Sequence, residues 1–219
     1  SSCTNSGSAI KVTAAGYIYQ NTSITTKGGS VTYLSNSDNG SGSAAGNIYV
    51  TSAAAITTNG GAVIFAGGST TVTTGYAKGY ATANNTTGLL DGNPVIDNAG
   101  IYLAGDIDAG AGNVTMNGQN GSGTADSAGI YMVASSSITS SGAISLKGYI
   151  GSDQTDTTNW HRAFRMTAAS GAASPSVVAT GSGSISISGI NTVANSTQDA
   201  ALFENATISA VNGNVNISA

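Results

Sequence analysis

The chain has 219 residues, 40% of them apolar and only 7% charged, with six Lys and Arg in all and a formal net charge of -4. So few cations leave no basic stripe to neutralise phosphates, which argues against nucleic acid as a partner, and the apolar runs fall far short of the roughly 20 residues of a membrane-spanning helix. Its 31 glycines would suit a linker, but Val and Ile recur in register, which a disordered chain does not show.

Residues 1-15 read as a polar lead-in or partial coil, with one alternating run at Ala9-Ile10-Lys11-Val12. Cys3 is the single cysteine, so no internal disulfide forms and the thiol reads as a bystander. No basic and apolar signal segment opens the sequence, and Ile217-Ser218-Ala219 closes it in strand-like text, so it reads as a mature or excised piece.

From residue 16 one phrase is written six times. An aliphatic residue, a short polar gap, a glycine two places before a second aliphatic, and then alternation recur at Ile24 to Val31, Ile56 to Val63, Ile107 to Val114, Ile138 to Ile144, Val178 to Ile185 and Ile208 to Val215. The glycines are Gly29, Gly61, Gly112, Gly142, Gly183 and Gly213. Ahead of each copy stands an aliphatic-aromatic element: Tyr17-Ile18-Tyr19, Ile48-Tyr49, Ile101-Tyr102, Ile130-Tyr131, and weaker forms at Phe164-Arg165 and Leu202-Phe203. The unit is about 30 residues long with elastic connections.

Runs such as Val31-Thr32-Tyr33, Val114-Thr115-Met116 and Ile185-Ser186-Ile187 have period two, the pattern of half-buried strands, and no window sustains helical spacing. Glycine and asparagine in the gaps suit positive-φ turns. A propeller blade takes four strands and about 40 residues, whereas three short strands per 30 fit one triangular coil of a parallel β-helix. The expected architecture is all-β: a single β-solenoid domain over 16-219 with about six three-strand coils, rising about 29 Å at the usual strand spacing. Loop insertions are expected at about 70-96, pinned by Tyr76, Tyr80, Leu89 and Leu90, and at 166-177 around Pro175. They should leave from one corner, since a loop cannot interrupt stacked strands.

The phrases Ala-Gly-Ile-Tyr-Leu, Gly-Asn-Val-Thr-Met and Ile-Thr-Ser-Ser-Gly-Ala-Ile-Ser-Leu resemble the repeat regions of filamentous-haemagglutinin-type exoproteins, bacterial surface proteins exported by two-partner secretion. The resemblance covers roughly 16-219. It implies a right-handed parallel β-helix, an extracellular or cell-surface location, and a non-catalytic role as fibre, spacer or adhesin stalk. Partners would be further β-solenoid coils, through self-association or continuation, and surface glycans of a host or neighbouring cell.

Tyr19, Tyr49, Tyr102 and Tyr131 each follow an inward aliphatic, so they should point outward and stack as a column, with Arg165 and Phe203 continuing it. Such a strip suits sugars or a neighbouring fibre, and equally a ladder that only stabilises the coil. No catalytic residue, cofactor or metal is assigned. Asp106 and Asp108, with Asp97 or Asn98, offer oxygens for a cation but lack the calcium-binding nonapeptide pattern. Asp153, Asp156, His161, Arg162 and Arg165 gather around Trp160, where a carbohydrate-active site would need carboxylates held on strands; a polar corner loop fits better. The outward threonines Thr25, Thr57 and Thr139 are interrupted by Asp108, Ala179 and Ser209, too irregular for an ice-binding face.

Overall fold

The computed structural model describes residues 7–38, 46–68, 74–79, 98–121, 126–151, 160–193 and 199–219. Every regular element among them is a strand. A leading strand β1 (Ile10–Thr13) precedes the first coil, β2 (Ile18–Gln20), β3 (Ile24–Thr25) and β4 (Val31–Ser35). The second coil is β5 (Ile48–Val50), β6 (Ala55–Thr57) and β7 (Val63–Gly67), followed by the two-residue strand β8 (Ala77–Lys78). The third is β9 (Ile101–Leu103), β10 (Asp106–Asp108) and β11 (Val114–Gln119), and the fourth β12 (Ser127–Val133), β13 (Ser137–Ser140) and β14 (Ile144–Ile150). The fifth is β15 (His161–Thr167), β16 (Ser176–Ala179) and β17 (Ile185–Asn191), and the sixth β18 (Ala201–Glu204), β19 (Thr207–Ala210) and β20 (Val215–Ser218).

All pairings are parallel and, apart from that of β8 with β11, link equivalent strands of successive coils, in the orders β1-β4-β7-β11-β14-β17-β20, β2-β5-β9-β12-β15-β18 and β3-β6-β10-β13-β16-β19. The fold is a parallel β-helix of six three-strand coils, as the alternation and the repeat predict. Its three sheets enclose three apolar columns: Val31, Val63, Val114, Ile144, Ile185 and Val215; Ile18, Ile48, Ile101, Ile130, Phe164 and Ala201; Ile24, Ile56, Ile107, Ile138, Val177 and Ile208. In the middle coils these side chains are fully buried, each lying over its equivalent about 4.8 Å away. Inside the first two coils Tyr33 stacks on Phe65 at 5.1 Å between centroids and donates its hydroxyl to Gln20 Oε1, while burial pushes its phenol pKa up to about 12.

Two registers differ from the sequence reading. Val177, not Val178, stacks between Ile138 and Ile208, so Val178 rather than Ala179 stands in the outward row with Thr139 and Ser209. Ala201, not Leu202, lies against Phe164, so Phe203 turns inward beside it, 5.6 Å between ring centroids. Phe203 is therefore not part of the outward column, whose sixth place is taken by Leu202. In both cases two neighbouring apolar residues satisfy period two, and stacking on the coil before selects one.

The repeated glycines are explained by close approach, not by turn conformation. None of the six has a positive φ. A Cβ on Gly61 would lie 2.2 Å from Gly29 O, on Gly112 2.1 Å from Gly61 O, on Gly183 1.9 Å from Gly142 O and on Gly213 2.0 Å from Gly183 O. The carbonyls of Gly29, Gly61, Gly142 and Gly183 thus point at the next glycine of the column, leaving no room for a side chain. Beside it the hydroxyls of Thr26, Thr58 and Ser140 donate to the carbonyls of Gly29, Gly61 and Gly112. These buried hydroxyls are satisfied by backbone, which removes their desolvation cost.

At the corner between the first and second sheets the strands run past the triangular core. The stretches 120–126, 151–160 and 192–200 connect β11 to β12, β14 to β15 and β17 to β18. Gly118, Gly148 and Gly189 pair with one another there, and Cβ atoms on them would meet Gly129 O at 2.1 Å, Ala163 O at 1.7 Å and Ala200 O at 2.1 Å. Glycine at this second column lets the end of one sheet close on the start of the next. Of the expected 70-96 insertion, β8 pairs with the end of β11, and the Tyr76 ring lies 5.3 Å from that of Tyr149; Tyr80, Leu89 and Leu90 lie outside the described residues. The second connection leaves from another corner, between β15 and β16, and is shorter than 166-177 because Met166 and Thr167 belong to β15.

Candidate binding surface

The middle residue of each short strand in the second sheet faces outward, because its neighbours fill the core. Register places Tyr19, Tyr49, Tyr102, Tyr131, Arg165 and Leu202 in one line along the axis. Tyr19 is 47% exposed, and Tyr49, Tyr102, Tyr131 and Arg165 are half-buried.

The rings do not form a flat strip. Successive centroids are 5.3, 5.1 and 5.2 Å apart with interplanar angles of 70°, 81° and 77°. This edge-to-face arrangement sets the positive edge of one ring on the negative face of the next, a better electrostatic fit than a face-to-face sandwich. After the four tyrosines the line continues with a cation: the Arg165 guanidinium sits 4.4 Å from the centre of the Tyr131 ring, within cation–π range. The Tyr131 hydroxyl lies 3.2 Å from Thr167 Oγ1, one coil on. Replacing Tyr102 by Ser removes two ring contacts and no core packing. The chain is expected to stay folded and to lose about 1 to 2 kcal/mol in urea denaturation; an unchanged midpoint would mean that the ladder contributes nothing.

The other polar residues separate into unrelated places. Asp106 and Asp108 flank Ile107 on β10 with exposed side chains. Asp106 Oδ1 accepts from the Ser137 hydroxyl at 2.7 Å, and Asp108 Oδ1 from the Gly110 N–H at 2.9 Å. Asn98 is instead buried, its carbonyl accepting the Gly121 N–H at 2.8 Å; Asp97 lies outside the described residues. Among the described residues no group of three metal-ligating side chains comes together, and none forms a helix long and apolar enough to cross a membrane.

The ionisable group around Trp160 also divides. Asp153 and Asp156 lie outside the described residues, as does Cys3. His161 is the first residue of β15 and fully buried. Its Nδ1 lies 2.6 Å from Ser127 Oγ, which accepts the Asn120 side-chain amide at 3.1 Å, while Asn120 Oδ1 accepts the Gly151 N–H at 3.0 Å. With Ser127 at 2% exposure and Asn120 at 1%, this serine–histidine pair is sealed from solvent and ties successive coils together. The sequence reading missed Ser127 and Asn120. The available signal was that Ser127 and His161 both stand three places before an inward residue, Ile130 and Phe164, and so stack. Arg162 lies apart from Arg165, with Nε 3.5 Å from Asp199 Oδ2 and its guanidinium 5.1 Å from the Trp160 ring.

Compared with protein-family models, with curated proteins and with solved structures, the chain matches none.

Proposed function

We propose that this chain is a non-catalytic structural and adhesive segment of an extracellular bacterial surface fibre. The observation that carries the reading is the uninterrupted stacking of six equivalent coils, since repeated nearest-neighbour contacts build length and an elongated lateral surface rather than a closed pocket. The outward face supports it: the residues beside the inward columns are mainly Thr, Ser, Tyr and Asp, a weakly charged coat broken by one aromatic line. The phrases that resemble filamentous-haemagglutinin-type repeats point the same way.

A second reading is a filament subunit joined end to end, supported by coils that pair through parallel edges with the coil before and the coil after. An open parallel edge is a template for another strand, whether from further coils of the same chain or from another molecule. Electron microscopy of the 219-residue chain over a range of concentrations tests both. Single rods about 29 Å long are expected from the spacer reading, and fibres of one-coil width that lengthen with concentration from the filament reading. Compact particles without an axial repeat would overturn both.

A further inference from the structure

We propose that Tyr76 and Tyr149 form an oxidative cross-linking site. A one-electron oxidant of the haem-peroxidase class, acting with hydrogen peroxide, joins the two rings as a dityrosine and fastens β8 to the body of the β-helix. This chemistry does not depend on the fibre reading.

Topology sets the pair apart. Tyr76 immediately precedes β8 and Tyr149 lies on β14; β8 pairs with β11, and β11 with β14. The two tyrosines therefore belong to strands two spacings apart, about 9.6 Å. Their rings nevertheless meet, with centroids 5.3 Å apart. This contact is not the strand-to-strand repeat of the stack, because it reaches over a strand. The rings of Tyr19, Tyr49, Tyr102 and Tyr131 stand on strands that already pair through their backbones, so a bond between them would join what is joined.

Geometry suits the coupling. A biaryl bond links ring edges whose planes are moderately twisted, and the interplanar angle here is 34°. The pairs of the second-sheet line, at 70°, 81° and 77°, set the edge of one ring on the face of the next. Both partners are held: the Lys147 ammonium lies 5.6 Å from the centre of the Tyr76 ring, within cation–π range, and the Tyr149 hydroxyl lies 3.3 Å from Thr192 Oγ1. Both are also half-buried rather than sealed, so an oxidant and water reach them.

The oxidant takes one electron from each phenol, and each O–H proton passes to water. The two phenoxyl radicals join through the carbons ortho to their oxygens. The two ortho hydrogens then shift to the oxygens and restore both phenols. Two electrons and two protons leave the pair, and they reduce one hydrogen peroxide to two waters. The new bond closes a long loop and removes open states of β8, which is otherwise held by pairing at Gly118 and Gln119 and by the N–H groups of Lys78 and Gly79 on Gly46 O and Gln119 O.

The test treats the whole chain, at low concentration, with a haem peroxidase and hydrogen peroxide, then maps the monomer fraction by peptide mass spectrometry. A linked pair of peptides carrying Tyr76 and Tyr149, two hydrogens lighter than their sum, is expected. Tyr76→Phe and Tyr149→Phe keep the ring and remove the phenol oxygen, so each should abolish the link, whereas Tyr131→Phe should leave it unchanged. Circular dichroism identical to the parent chain establishes that each variant is folded. In the linked chain, hydrogen exchange at Lys78 and Gly79 should slow by about tenfold or more. Oxidised monomer without this link, a link that survives in either folded variant, or unchanged exchange in the linked chain would each overturn the proposal.

Discussion

Gly112→Ala is expected to destabilise the β-helix by about 3 kcal/mol or more, although alanine is among the mildest replacements for glycine. The added methyl would lie 2.1 Å from Gly61 O and 2.4 Å from Gly61 C. Those are backbone atoms whose positions are fixed by pairing on both sides, so the corner cannot yield as a flexible side chain would. Gly60 provides the control. Its φ is +113° and nothing lies within 4 Å of its missing Cβ, so Gly60→Ala meets conformational strain alone, worth about 1 to 2 kcal/mol. Urea midpoints of the two variants, followed by circular dichroism, separate the explanations. Equal losses would show that the glycine column reflects turn conformation and that coil-on-coil contact at this corner is loose.

Phe164→Ala should cost about 3 to 5 kcal/mol. Phe164 is fully buried between Ile130 and Ala201 and touches Phe203. The small Ala201 beneath it cannot fill the space that the ring leaves. Coils contact mainly their neighbours, so the damage should be local. Hydrogen exchange is expected to accelerate in β12, β15 and β18, while β5 and β6 stay protected. Uniform loss of protection would show that the stack unfolds as one unit.

Much of this architecture was legible without coordinates. Val31, Val63, Val114 and Ile144 stand at matching places in their units and stack as their spacing implies. Tyr19, Tyr49, Tyr102 and Tyr131 were readable as one line because each follows an inward aliphatic. The lateral extension at the corner between the first and second sheets was not legible. Its residues, Asn120, Ser127 and His161, are polar yet buried, and only their mutual hydrogen bonds make that burial tolerable.

The amino-acid order alone determined strand type, the three-strand coil, the number of coils and the inward face of most strands, because these follow from period two and from a repeat of about 30 residues. Tertiary structure decided what depends on the coil before and the coil after: Val177 over Val178, Ala201 over Leu202, the edge-to-face tilt of the tyrosines, and the seat of Arg165 on Tyr131. The physical reason is that neighbouring apolar residues have nearly equal local preference. Their choice is made by packing and backbone pairing with residues about 30 places away in the chain, a distance over which local pattern carries no information.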